Sequence, residues 1–232
     1  MNAQTEKLQL EGAAGAIEAA RDRPAEGVAP VGTAVIAHPH PLFGGTMDNK
    51  VVQTLARAFV AAGWTAIRFN FRGVGGTAGT HDEGRGEAED YLRVVKQAAG
   101  SGPLAVAGFS FGAFVAINAL QALWPAREVG QIALVGPSVA RVVPPPLPAD
   151  AHLRTLVVHG EADDTVALSA VMDWARPQSL PVTVIPGGGH FFHGQLPLLK
   201  SLVTRHSQAS RRTTRRAAPT GPFSFFRSLA FP

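Results

Sequence analysis

The sequence has no cysteine among its 232 residues. That excludes a disulfide framework, a thiolate nucleophile and a thiolate zinc site. A chain without disulfides suits the cytosol, where they rarely persist. No apolar run approaches the roughly 18 to 20 residues of a membrane span. The segment Met1–Leu10 carries Glu6 and Lys7 and has no apolar core of a secretory signal. A cytoplasmic location is therefore expected. There is no G-x-x-x-x-G-K-[ST] stretch to cradle nucleotide phosphates, and no internal repeat.

Acidic residues are missing from the last stretch of the chain. Residues 207–232 hold Arg211, Arg212, Arg215, Arg216 and Arg227 and no Asp or Glu. The net charge is +4, so removing those five positive charges leaves residues 1–206 at −1. The basic character belongs to a tail, and the remainder gives no reason to expect nucleic-acid binding. The tail is rich in Arg, Ser, Thr and Pro with scattered Phe, and is expected to be disordered or loosely attached. An appendage without a dedicated role is preferred over a polybasic patch for nucleic acid or anionic lipid.

What is present is enough for one core. Apolar residues make up 46% of the chain, and residues 1–206 are read as a single domain. Leu8–Leu10 and Ala16–Ala20 read as a hairpin turning at Gly12–Gly15. Apolar strands are expected at Val31–Ala37, Thr65–Phe69, Leu104–Ala107, Gln131–Val135, Arg154–His159 and Pro181–Ile185. Helical patterns lie between them: one capped by Asp48 or Asn49 with Val51, Val52, Leu55, Phe59 and Ala62 on one face, then Glu87–Ala99, Ala113–Leu123, Val166–Ala175 and Leu196–His206. Apolar strands alternating with helices predict an α/β fold: a mostly parallel twisted sheet covered on both faces.

Gly108-Phe109-Ser110-Phe111-Gly112 reads G-x-S-x-G between a strand and a helix. In that context the serine sits at the apex of a sharp turn, clear of the sheet edge. The same residues also fit a glycine-rich connection whose serine caps the helix. A serine hydroxyl is a weak nucleophile and needs a base, a group to orient that base, and donors for the oxyanion. Later in the chain Glu161-Ala162-Asp163-Asp164 follows one strand, and Pro186-Gly187-Gly188-Gly189-His190 follows the last. The order Ser110, Asp163, His190 is the one a nucleophile, acid and base take on this kind of sheet. Asp164 is the reserve acid and His193 the reserve base.

One oxyanion donor is expected at the Phe111 N–H and the other in His38-Pro39-His40-Pro41-Leu42. Proline has no N–H, so the candidates are His40 and Leu42. A metal on His38 and His40 lacks an obvious third ligand. Gly73-Val74-Gly75-Gly76-Thr77-Ala78 fits G-x-G-x-x-A, but some ten loop residues precede the next helix, so it is read as a loop and not a dinucleotide site.

Together these stretches, with Asn70-Phe71-Arg72-Gly73 and His159-Gly160, make residues 8–206 resemble the α/β-hydrolase superfamily. The segment His38–Val52 is similar to small bacterial hydrolases in the style of dienelactone hydrolases. The resemblance implies Ser110 as nucleophile, Asp163 as acid and His190 as base, acting on a small acyl substrate with no cofactor. Two departures stand out: His-Pro replaces the common His-Gly at 38–39, and the stretch after Gln131–Val135 is too short for a helical lid. The expected function is a lidless serine hydrolase for a carboxylic ester or thioester. The alternatives are an acyltransferase or peptidase on the same fold, or a binding protein on a hydrolase scaffold.

Overall fold

The computed structural model describes residues 5–216. Its strands are β1 (Glu6–Glu11), β2 (Ala16–Asp22), β3 (Thr33–Ala37), β4 (Thr65–Phe69), β5 (Leu104–Phe109), β6 (Val129–Val135), β7 (Thr155–Gly160) and β8 (Val182–Ile185). Its helices are α1 (Lys50–Ala61), α2 (Arg85–Ala98), α3 (Phe111–Leu123), α4 (Leu168–Ala175) and α5 (Leu196–Arg216). The sheet runs in the order β1-β2-β4-β3-β5-β6-β7-β8. The first two strands form an antiparallel hairpin, β2 pairs antiparallel with β4, and every later pairing is parallel.

Side chains alternate across the sheet because successive Cβ atoms point to opposite faces. Val35, Ile67 and Val106 face α2, α3 and α4, where Tyr91, Ile117 and Val171 complete one core. Ala34, Ile36 and Ala105 face α1 and α5, where Leu55, Phe59, Leu199 and Val203 complete the other. The central strands are apolar at nearly every position because both faces are covered. The sole tyrosine joins the two central strands: the Tyr91 hydroxyl donates to Val35 O at 2.6 Å and accepts the Ala107 N–H at 3.2 Å.

Asn49, not Asp48, caps α1, its Oδ1 accepting the Val51 N–H at 2.9 Å. The last helix departs from expectation. It continues past His206 to Arg216, and Ser207 is buried with its hydroxyl bonded to Val203 O at 2.8 Å. The expected boundary at 206–207 therefore falls inside a helix. Apolar periodicity is lost at that point, but a helix already anchored by Leu199 and Val203 propagates through polar residues at little cost. The rest of the expected tail, 217–232, lies outside the described residues. No helix among the described residues is long and apolar enough to cross a membrane.

The strand order brings the loops after β3, β5, β7 and β8 to one edge of the sheet. Ala37 pairs with Gly108, so His38–His40 and Ser110–Phe111 leave neighbouring strands side by side. Carboxyl ends of parallel strands are where such sheets carry their sites.

Candidate active site

Ser110 occupies the turn between β5 and α3 at φ 55°, ψ −118°, a conformation L-residues rarely adopt. Backbone bonds impose it. The Ser110 N–H donates to Val135 O at 2.9 Å, and its carbonyl accepts the N–H groups of Ala113, Phe114 and Ser138. The flanking glycines are required by close approach. A Cβ on Gly108 would stand 2.2 Å from the Gly112 carbonyl oxygen, and one on Gly112 would stand 2.4 Å from Ala37 O. The Ser110 side chain makes no capping bond to α3. Its Oγ instead lies 3.0 Å from His190 Nε2.

His190 follows β8 on the glycine-rich loop. The loop is pinned by Phe192, which is fully buried at φ 52°, and by the Ala162 N–H, which donates to Gly188 O at 2.9 Å. The His190 ring lies against Phe109 at 5.0 Å and against Phe191 at 5.1 Å. Its Nδ1 lies 2.8 Å from Asp163 Oδ2.

Asp163 fixes the proton inventory. Its Oδ1 accepts the N–H groups of Thr165 at 3.0 Å and Val166 at 2.8 Å. Burial pushes the carboxyl up, but the bonds from His190 and from Val166 and Thr165 outweigh it and hold the group below the ordinary carboxylate range. An ionised carboxylate only accepts, so His190 Nδ1 carries the proton. His190 Nε2 is then left as an acceptor for the Ser110 hydroxyl. The reserve residues take no part: Asp164 is exposed and bonds the Thr165 hydroxyl, and His193 is exposed with a ring contact to Phe191.

The loop after β3 is ordered by His38, which is wholly buried. Its Nε2 accepts the Phe71 N–H at 2.9 Å, so its Nδ1 donates to Pro39 O at 2.6 Å. Burial pushes this ring down to about 4, against the opposing pull of the Pro39 carbonyl. Both ring nitrogens are committed within the protein, so in this conformation His38 cannot ligate a metal. Of the two candidate donors on this loop, Leu42 N–H is engaged with His40 Nδ1 at 3.3 Å. The N–H groups of His40 and Phe111 have no acceptor among the described residues, and the two rings are in contact at 4.8 Å.

The glycine loop 73–76 serves the fold. The Gly76 N–H donates to Glu18 Oε2 at 2.9 Å and Ala78 N–H to Ala16 O at 2.9 Å. The Val74 N–H donates to Phe71 O at 3.1 Å, and α2 begins only at Arg85. After β6 a loop and a short 3₁₀ helix, Ala149–Arg154, lead straight to β7. Among the described residues no helical insert covers Ser110. A cavity of about 670 Å³ is lined by His40 and by Phe111, the residue after Ser110, together with Phe114, Leu42, Phe43 and Val142; Ser110 itself does not line it.

Residues 40–155 match the family model for the alpha/beta hydrolase fold. The chain belongs to the α/β-hydrolase family. It is 30% identical to an uncharacterised protein, RP471, of Rickettsia prowazekii, over 80% of this chain and 82% of that one. Among solved structures, it is similar to XC6422 of Xanthomonas campestris, an α/β serine hydrolase without a lid. That likeness has a TM-score of 0.75 at 34% identity, covering 96% of this chain and 99% of that one. A serine hydrolase homologue from Coxiella burnetii superposes at TM-score 0.73 with 37% identity, covering 86% of this chain and 96% of that one. The hydrolase fold and the lidless architecture thus agree with the expectation from sequence.

Two polar groups of this hydrolase are not apparent from its sequence. His159, wholly buried at the end of β7, bonds Val166 O at 2.8 Å and lies 3.5 Å from Asp163 Oδ2. Its position in an apolar strand directly before the Asp163 loop is the one signal it offers. Glu87, also wholly buried, gathers the Asp82 and Gly84 N–H groups and His81. In the sequence it is one more acid in the first turn of a helix.

Proposed function

We propose that this protein is a serine hydrolase that cleaves a carboxylic ester or thioester through an acyl-enzyme. The observation that carries the reading is the unbroken hydrogen-bonded line from Ser110 Oγ through His190 to Asp163. His190 Nε2 takes the hydroxyl proton as Ser110 Oγ attacks the carbonyl carbon. The imidazolium so formed is stabilised by Asp163, which keeps its negative charge. The negative charge on the substrate oxygen falls to the N–H groups of Phe111 and His40, the two donors left without internal acceptors. His190 returns the proton to the leaving alkoxide or thiolate. Water then attacks the acyl-Ser110 ester by the same proton path, releasing the acid and restoring the hydroxyl. No step calls for a cofactor.

A fluorophosphonate probe tests the reading. The folded protein should form a one-to-one adduct on Ser110, and Ser110→Ala should form none while keeping its melting temperature within a few degrees. An unlabelled wild-type protein, or labelling that survives Ser110→Ala, would sink the assignment.

A further inference from the structure

A second histidine–carboxylate pair meets the cavity that Phe111 lines: His81 stands in its wall, and Glu87 is buried behind it. Glu87 Oε1 accepts the Asp82 N–H at 2.9 Å and Oε2 accepts the Gly84 N–H at 2.8 Å. With both oxygens accepting, the remaining 2.9 Å contact to His81 is donated by the His81 Nδ1–H. His81 Nε2 then has no partner among the described residues, and its ring lines the cavity. That ring lies 4.7 Å from His40 and 5.4 Å from Phe111, next to the proposed oxyanion loop.

A cation joins it from the loop after β6. Arg141 lines the same cavity, makes no ion pair or hydrogen bond among the described residues, and lies close enough to His40 to disfavour protonation there. The other charges at the rim are already matched: Arg85 pairs with Asp82 at 2.8 Å and with Glu83 at 4.0 Å. Phe111 and Phe114, with ring centroids 6.0 Å apart, provide an apolar floor in the same cavity.

We propose that this cavity takes an acyl group that ends in a carboxylate, with Arg141 holding the carboxylate and Phe111 and Phe114 packing its apolar stem. An arginine fork matches the two oxygens of a carboxylate. The inference rests on the hydrolase reading: an ester with such an acyl group and one water yield a dicarboxylate and an alcohol.

Two measurements test it in the full-length protein. The first compares kcat/KM for the 4-nitrophenyl half-ester of adipic acid with that for 4-nitrophenyl hexanoate, an acyl chain of equal length. The ratio should be about tenfold or more in the wild type and fall about tenfold in Arg141→Gln. A wild-type ratio near one, or a ratio indifferent to Arg141→Gln, overturns the subsite while leaving the hydrolase intact. The second measures calorimetric binding of adipate and adipamide to Ser110→Ala. Adipate should bind, adipamide should not, and adding Arg141→Gln should weaken adipate about tenfold. Binding of this kind without turnover of either ester upholds the subsite and overturns the hydrolase reading; absence of adipate binding overturns the subsite.

Discussion

His38 Nε2 accepts the backbone N–H of Phe71 at 2.9 Å, tying the loop after β3 to the loop after β4 inside the protein. The bond requires a neutral ring. In the folded protein His38 takes up a proton only near pH 4, whereas its ordinary value is 6.5. Between those values the unfolded chain binds more protons, so stability must fall as pH is lowered from 6.5 to 4, by about 3 kcal/mol. His159 and His206 are also pushed down by burial and add losses of the same sign. Urea unfolding at pH 7, 5.5 and 4.5 should show this slope, and His38→Asn should flatten it. A wild-type stability that is level across the range contradicts a neutral His38 bonded through both ring nitrogens.

Asp163 carries the same sign in a lower pH window. Its folded carboxyl lies below the ordinary range, so its contribution is complete above about pH 4 and is lost as pH falls through the lower folded value. Its role in orienting His190 is tested separately. Asp163→Asn keeps an oxygen for the Thr165 and Val166 N–H groups but presents an N–H to His190 Nδ1, reversing the tautomer. We expect kcat on a nitrophenyl ester to drop roughly a thousandfold or more, with the far-ultraviolet circular dichroism unchanged.

Gly112→Ala should act through the backbone. The new Cβ meets Ala37 O at 2.4 Å and His38 O at 2.5 Å, and neither carbonyl belongs to a side chain that can swing aside. A loss of about 1–3 kcal/mol follows, read as a drop in melting temperature of about 3–10 °C. Activity should fall as well, since the displaced segment leads to His40. A melting temperature equal to the wild type's would refute the crowding.

Tyr91→Phe removes a hydroxyl that serves two strands at once. The Ala107 N–H and the Val35 carbonyl lose this partner in a site closed to water. The expected cost is about 1–3 kcal/mol by denaturant unfolding, and little change in KM.

Much of this molecule can be read from residue order because its logic is local. Apolar runs such as Leu104–Ala107 mark strands buried on both faces, and a serine between two glycines marks a turn that admits no Cβ. Ser110, Asp163 and His190 are legible because each follows a recognisable strand. The structure brings these three together, though their roles stand as a proposal. What eludes such reading is long-range polar pairing. Nothing near Glu87 in the chain announces that it will be sealed under His81, and His38 shows both its bonds only once Phe71 has been brought beside it. The end of α5 escapes for a related reason: anchoring at Leu199 and Val203 carries the helix beyond the point where its own sequence stops advertising one.

The direct path from β6 to β7 has a consequence for the fate of an acyl group on Ser110. Enzymes that shut a cover over a reactive ester ration its contact with solvent. Among the described residues no α-helix is inserted between β6 and β7 to close over Ser110. On the proposed mechanism, the acyl group on Ser110 stays open to bulk water throughout its lifetime.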